Sequence, residues 1–168
     1  MVPSKWQTRD IKPRSHRNDC YYATLAGLKQ TTIDELVAMT GITDDPNGAN
    51  EPEIERLYNA ANYPGKFVHF LSKHEVKDYV CSNLLKYPEL GLRLAVGYQI
   101  SEGEGGHVVA LIAYIIQNGK KKGQPTYHVT DFQKDANDRL NEMSLPEGVY
   151  YWLWETSQRY YRKETQNQ

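Results

Sequence analysis

Apolar residues in the first half of the chain recur at helical spacing, whereas those in the second half fall in short, nearly continuous runs. Ile33, Leu36, Val37 and Met39 form one stripe, Ile54, Leu57, Tyr58 and Ala61 another, and Val76, Val80, Leu84 and Leu85 a third. Thr32 with Glu35, and Ser72 with Glu75, have the spacing of a capping box ahead of the first and third stripes. Asn18 or Asp19 stands where it can cap an earlier helix, Gly41 stops the next one, and DDPNGAN at 44–50 is turn chemistry. Helices are therefore expected over about 20–28, 33–40, 51–62 and 72–87, with a short strand at 66–71. In the second half, 92–100, 107–116, 126–131 and 148–154 read as strands. QNGKKKGQP joins the middle two as a glycine-rich hairpin connection, and the charged tail after the last strand is a helix candidate. Helices followed by antiparallel strands make an α+β domain, with N-terminal helices packed on a C-terminal sheet. Residues 1–17, which carry Pro3 and Pro13 among several charges, read as an extended arm, leaving 18–168 as one domain.

Composition narrows the picture. At 168 residues, with 39% hydrophobic and 24% charged, the chain is long enough for one real core. A net charge of −1 argues against a broad nucleic-acid or anionic-membrane surface. The longest apolar run, 108–116, is too short to span a bilayer, and MVPSKWQTRDIKPR has no apolar signal core. The expectation is a cytoplasmic protein, or one delivered into another cell without a cleavable signal. Two cysteines in different expected helices give no disulfide framework. Thirteen tyrosines and three tryptophans, crowded toward the C-terminus, suggest an aromatic packing surface.

Three residues stand where thiol chemistry would need them. Cys20 opens a helix, whose N-terminus favours negative charge and hence a thiolate. His107 follows SEGEGG and opens the apolar strand, on the side of Val109, Leu111 and Ala113 by alternation. Asp131 closes the strand across the hairpin, where a carboxylate could orient the imidazole. Each has an ordinary explanation alone: a buried small side chain, a polar strand end, a turn aspartate. Their order and placement favour the chemical one. The backbone N–H of Cys20 is a natural oxyanion donor, with Asn18 or His16 as local side-chain candidates and Gln7 a remote one. Gln133 is a support candidate for the same site. Cys81, beside Val80 and Leu84, reads as structural. His16, His69, His74 and His128 are rival histidines, none with a comparable setting. No C-x-x-C or H-E-x-x-H spacing occurs, and the glycines at 103–106 lead into a strand rather than a helix, so no metal and no cofactor is expected.

The segments RNDCYYATLAGL, GGHVVALIAYIIQNG and VTDFQ resemble papain-fold toxin domains of bacterial effector systems. The resemblance spans about residues 15–135 and rests on some twenty positions: an N-x-C helix start, a Gly-His strand, an Asn-Gly turn and an Asp-x-Gln strand end. It implies a papain-like fold with Cys20, His107 and Asp131 as catalytic triad. It further implies a toxin or effector that deamidates glutamine in, or cleaves, a protein of a target cell, with a cognate immunity or carrier protein as a further partner. The chain is also similar to peptidases that cleave double-glycine bacteriocin leaders, through D-C and G-H-V-V, although Arg14 stands where those carry a glutamine. Neither nucleic acid nor membrane is an expected partner. The alternative function is a catalytically silent papain-like binding module, an inhibitor, immunity protein or adaptor, using the aromatic C-terminal region as its interface.

Overall fold

A computed structural model describes residues 19–45, 48–103, 105–134 and 144–162. The expected arm at 1–17, with His16, Arg14 and Gln7, and the candidate Asn18 lie outside the described residues. Helix α1 (Cys20–Lys29) is apolar around its whole circumference and buried from Tyr21 to Leu28, as a helix enclosed in a core must be. Helix α2 (Ile33–Thr40) begins at Thr32, whose hydroxyl accepts from the Glu35 N–H, and ends at Gly41 in the left-handed region at φ 71°. The Glu35 side chain goes to the Thr31 hydroxyl instead of closing a box at Thr32. A full capping box occurs where none was expected, between Asn50 and Glu53 at the start of α3 (Glu51–Ala60). Helix α4 (Lys73–Lys86) is capped by Ser72, and the Glu75 carboxylate accepts from Leu71 N–H.

The strands are β1 (Gly65–Phe70), β2 (Leu90–Gln99), β3 (His107–Ile115), β4 (Pro125–Thr130), β5 (Tyr150–Thr156) and β6 (Tyr160–Arg162). They form one six-stranded sheet of order β1-β5-β2-β3-β4, every pair antiparallel, with β6 also on β2. β3 occupies one edge of β2, so β5 and β6 divide the other between Val96–Gln99 and Leu90–Leu92. The tail is thus not helical as far as it is described. After a turn of 3-10 helix at Ser157–Arg159 it pairs with β2, a partnership seventy residues distant that local charge pattern does not announce.

Both faces of the sheet are covered. Ala95, Val108, Ala110, Ile112, Trp152 and Trp154 meet α1, α2 and α3, while Leu92, Leu94, Val96, Val109, Leu111, Ala113, Tyr151 and Leu153 meet α4. Two buried faces explain why β2 and β3 are continuous apolar runs and not alternating ones. The helices therefore do not lie on one side as a layer preceding the sheet: α4 is on the opposite face from the other three, and β1, inside the helical half, pairs with C-terminal β5. The C-terminal aromatics fill this interior. Trp154 is fully buried, edge-on to Tyr58 at 5.3 Å, and its indole N–H donates to the Tyr63 carbonyl at 2.9 Å. Tyr151, Trp152 and Trp154 are consequently core, not the interface a binding module would present.

One stripe of α1 carries the contacts that place the site. Cys20, Thr24 and Gly27 follow at i, i+4 and i+7, on one helical face. Thr24 Oγ1 donates to the Val108 carbonyl at 3.1 Å, next to His107, and Gly27 leaves room for the ring of fully buried Phe132. A Cβ on Gly27 would lie 2.3 Å from Cδ2 and 2.4 Å from Cγ of that ring, too close for a change of its tip to relieve. Gly27→Ala is expected to destabilise the domain. The gain of up to ~1 kcal/mol in helix propensity is outweighed by overpacking of ~1–3 kcal/mol. Thermal unfolding should show a midpoint lowered by a few degrees, partly restored in Gly27→Ala/Phe132→Leu. An unchanged midpoint in the single variant would contradict the packing of Phe132 on α1.

Candidate active site

Cys20 is the first residue of α1, with Asp19 at the N-cap position. The helix begins there because the Asp19 carbonyl accepts from Tyr22 and Ala23 N–H at 3.0 and 2.9 Å. The Asp19 side chain, expected as a possible cap, makes no capping bond. It is fully buried, and its Oδ1 accepts from the Gln133 side-chain amide at 2.9 Å. The first N–H groups of α1 are thereby left uncapped by that carboxylate, beside the sulfur.

His107 is the first residue of β3. Val109 and Leu111, whose side the alternation assigned to His107, lie on the α4 face, yet its ring hydrogen-bonds Cys20 of α1. The open end of the strand allows this, since Gly105 and Gly106 precede the histidine without side chains to wall off the ring. Nε2 of the ring is 2.8 Å from Asp131 Oδ2, and because a carboxylate only accepts, Nε2 is the donor. That leaves Nδ1 as the nitrogen for the thiol. Tyr98, the cross-strand partner of His107, stands edge-on to the imidazole at 5.7 Å.

Asp131 follows the last residue of β4 and is buried. Both of its oxygens are engaged: Oδ2 by His107 and Oδ1 by the backbone N–H of Gln133 at 3.0 Å. The hairpin puts it beside His107, with Gly119 and Gly123 in left-handed conformation at φ 89° and 88° in the connection. Gln133 then spans from this turn to Asp19. The contacts close a ring of side chains, Cys20 to His107 to Asp131, through Gln133 to Asp19, and back by the chain to Cys20. Gln133 ties the turn after β4 to the start of α1 behind Cys20, and Phe132 on Gly27 clamps the same turn to α1.

The electrostatics follow from this geometry. Burial by itself lowers the pKa of His107, but the hydrogen bonds to Asp131 and Cys20 and their charges outweigh it, raising the value from 6.5 to about 10. Burial pushes Asp131 up, and the His107 bond and charge, the Gln133 N–H and Lys134 more than reverse it, so that its carboxyl lies below the usual value. Tyr98 is raised, first by burial and then by the nearby Asp131 and Cys20. The pair therefore holds an imidazolium against a carboxylate, the charge state that a thiolate partner requires.

Cys20, His107 and Tyr98 open onto a cavity of about 590 Å³, walled further by Glu51, Tyr150 and Trp152. Its size is that of a small-ligand or side-chain pocket. None of the rival histidines that are described pairs with Cys20 or Asp131, although His69 stands behind the cavity wall on Glu51. His128 faces Tyr114 at 3.4 Å, His69 pairs with Glu51 at 2.7 Å, and His74 with Asp78 at 3.4 Å. Partners for His69 and His74 were not foreseen, because Glu51 comes from another element and Asp78 lies one turn along α4. Thr24, Gly27, Phe132 and Tyr98 were also missed. An interior helix glycine seven residues after the cysteine was the available signal for a close contact there. Cys81 is half-buried on α4, and burial raises its thiol pKa, opposed by Lys77. Cys81→Ala is expected to leave any Cys20-dependent activity unchanged and to lower stability by ~1 kcal/mol, read by thermal melting.

No helix among the described residues is long and apolar enough to cross a membrane. In comparison with known proteins, no family model and no curated sequence matches the chain.

Proposed function

We propose that this protein is a papain-like, thiol-dependent amide hydrolase with Cys20, His107 and Asp131 as its triad. The observation that carries the reading is the single imidazole shared by a thiol at a helix start and a buried carboxylate at 2.8 Å. Cys20 Sγ attacks the carbonyl carbon of an amide, and the backbone N–H of Cys20 stabilises the oxyanion. Imidazolium His107 gives a proton to the leaving nitrogen as the C–N bond breaks, which leaves a thioester on Cys20. His107 then takes a proton from water, hydroxide adds to the thioester carbon, and the acid departs as Cys20 is restored. Asp131 holds the ring and its charge throughout.

The same steps deamidate a glutamine side chain or cleave a peptide bond. In line with the resemblance of RNDCYYATLAGL and GGHVVALIAY, we assign the protein substrate to a target cell, with an immunity or carrier protein as further partner. Iodoacetamide at about pH 6 is expected to label Cys20 far faster than Cys81, an advantage lost in His107→Ala. Equal, slow labelling of both thiols would overturn the reading in favour of a silent binding module. Mass spectrometry of target-cell proteins exposed to the wild type or to Cys20→Ala then identifies the substrate, as amide-to-acid conversions or as new termini.

A further inference from the structure

We propose that Glu51 makes the cavity selective for amides flanked by a cationic side chain, a guanidinium or ammonium. The inference rests on the hydrolase reading of the cavity and adds its substrate class. Glu51 is the first residue of α3 and lines the same cavity as Cys20 and His107. Among the described lining residues it is the one carboxylate, and none is Lys or Arg. Two donors fix it in place: the Tyr150 hydroxyl on Oε2 at 2.6 Å and His69 Nε2 on Oε1 at 2.7 Å. The His69 ring stacks on Tyr150 at 5.7 Å, so the three side chains from α3, β1 and β5 brace one another. Each carboxylate oxygen retains further accepting capacity toward a ligand, and the side chain is a third exposed. Four aromatic residues, Tyr21, Tyr98, Tyr150 and Trp152, also line the cavity. Ring faces attract cations, and a carboxylate set among them attracts guanidinium most, through paired N–H donors. The thiolate of the proposed mechanism and the imidazolium offset each other and the Asp131 carboxylate is buried behind the ring, so Glu51 is the carboxylate that a neighbouring substrate group meets at the cavity wall.

The test uses the full chain and peptides bearing a glutamine-sized chloromethyl ketone flanked by arginine, by its neutral isostere citrulline, or by glutamate. Intact-protein mass spectrometry gives second-order rates of Cys20 alkylation. The arginine probe is expected to react about fivefold faster than the citrulline probe, equivalent to ~1 kcal/mol, and the glutamate probe slower than either. In Glu51→Gln the three rates should converge, and in Glu51→Asp, which keeps the charge, the order should persist. Melting of each variant identifies loss of fold: a purely bracing Glu51 lowers stability and leaves the rate ratios as they were. Equal arginine and citrulline rates in the wild type, or an arginine preference surviving in folded Glu51→Gln, would overturn the inference. Iodoacetamide, small and neutral, is run beside the probes. Fast, His107-dependent labelling without arginine preference refutes the Glu51 proposal alone, whereas slow labelling of Cys20 equal to that of Cys81 refutes the hydrolase reading beneath it.

Discussion

Cys20→Ala is expected to reduce amide hydrolysis by ~10⁴-fold or more while leaving the far-ultraviolet circular dichroism spectrum intact. The size of the effect follows from the chemistry: without sulfur no thioester forms, and what remains is binding and whatever the α1 N–H groups lend to direct attack by water. The fold should survive because Cys20 lies in the first turn of α1, only part-buried against the α1 side of the core. The buried stretch from Tyr21 to Leu28, and the Thr24 bond to Val108, hold the helix without it. A stability cost of ~1 kcal/mol or less is expected, since one sulfur is replaced by a hydrogen at a part-exposed position. The two measurements must be made on one preparation. Turnover retained at the wild-type rate would remove Cys20 as nucleophile, whereas loss of turnover together with loss of helix signal would mean only that the protein had unfolded. A metal-dependent hydrolase using His107 and Asp131 as ligands makes the opposite forecast: inactivation by a chelator and indifference to alkylation.

What was legible beforehand was whatever depends on a few adjacent residues. Thr32, Ser72 and Gly41 marked helix ends through bonds that span one turn, and the structure uses them. Strands β3 and β4 were visible because a glycine-rich connection separates two apolar runs, and with them the meeting of His107 and Asp131. What escaped depends on partners far apart in the chain. That α4 covers the other face from α1 cannot be read from either helix, since α1 is apolar all round and the stripe of α4 fits either face. Tyr160–Arg162 carries the charge and aromatic mix of an exposed helix, but the edge of β2 beside β5 was vacant for it. Within the site, Cys20, His107 and Asp131 were found from their positions at element ends. The ring that locks them, from Gln133 to Asp19 and from Phe132 to Gly27, runs between elements and had to be seen in three dimensions. Asp19 illustrates the difference: as a helix-capping residue type it suggested a local bond, yet its carboxylate is turned to Gln133 instead.

Asp131→Asn is expected to cost ~10–100-fold in kcat/KM near neutral pH and to move the alkaline limb of the pH profile downward. Asparagine keeps an oxygen acceptor for His107 Nε2–H but removes the charge, and a charged hydrogen bond contributes ~1.5–3 kcal/mol. Asp131→Ala, which loses the acceptor too, should be worse. The direction of the pH shift comes from the sign of the interaction. Burial alone lowers the His107 pKa, and it stands at about 10 because Asp131 and Cys20 favour the cation. With Asp131 neutral, imidazolium loses its proton at lower pH, and the working ion pair with Cys20 is lost with it. Stability should follow the same linkage. The raised His107 pKa contributes stability that is complete below the unfolded imidazole value, ~6.5, and is lost as pH rises through about 10. The lowered Asp131 pKa contributes stability present above the unfolded carboxyl value, ~3.9, and lost as pH falls through the folded one. Wild type should therefore be most stable between these limits, and Asp131→Asn should flatten the curve at both ends. Titrating the His107 ring by NMR in both proteins reads the shift without any substrate. A His107 that titrates at the same pH in wild type and Asp131→Asn would show that the carboxylate neither orients nor charges the ring, and the triad would reduce to a dyad of Cys20 and His107.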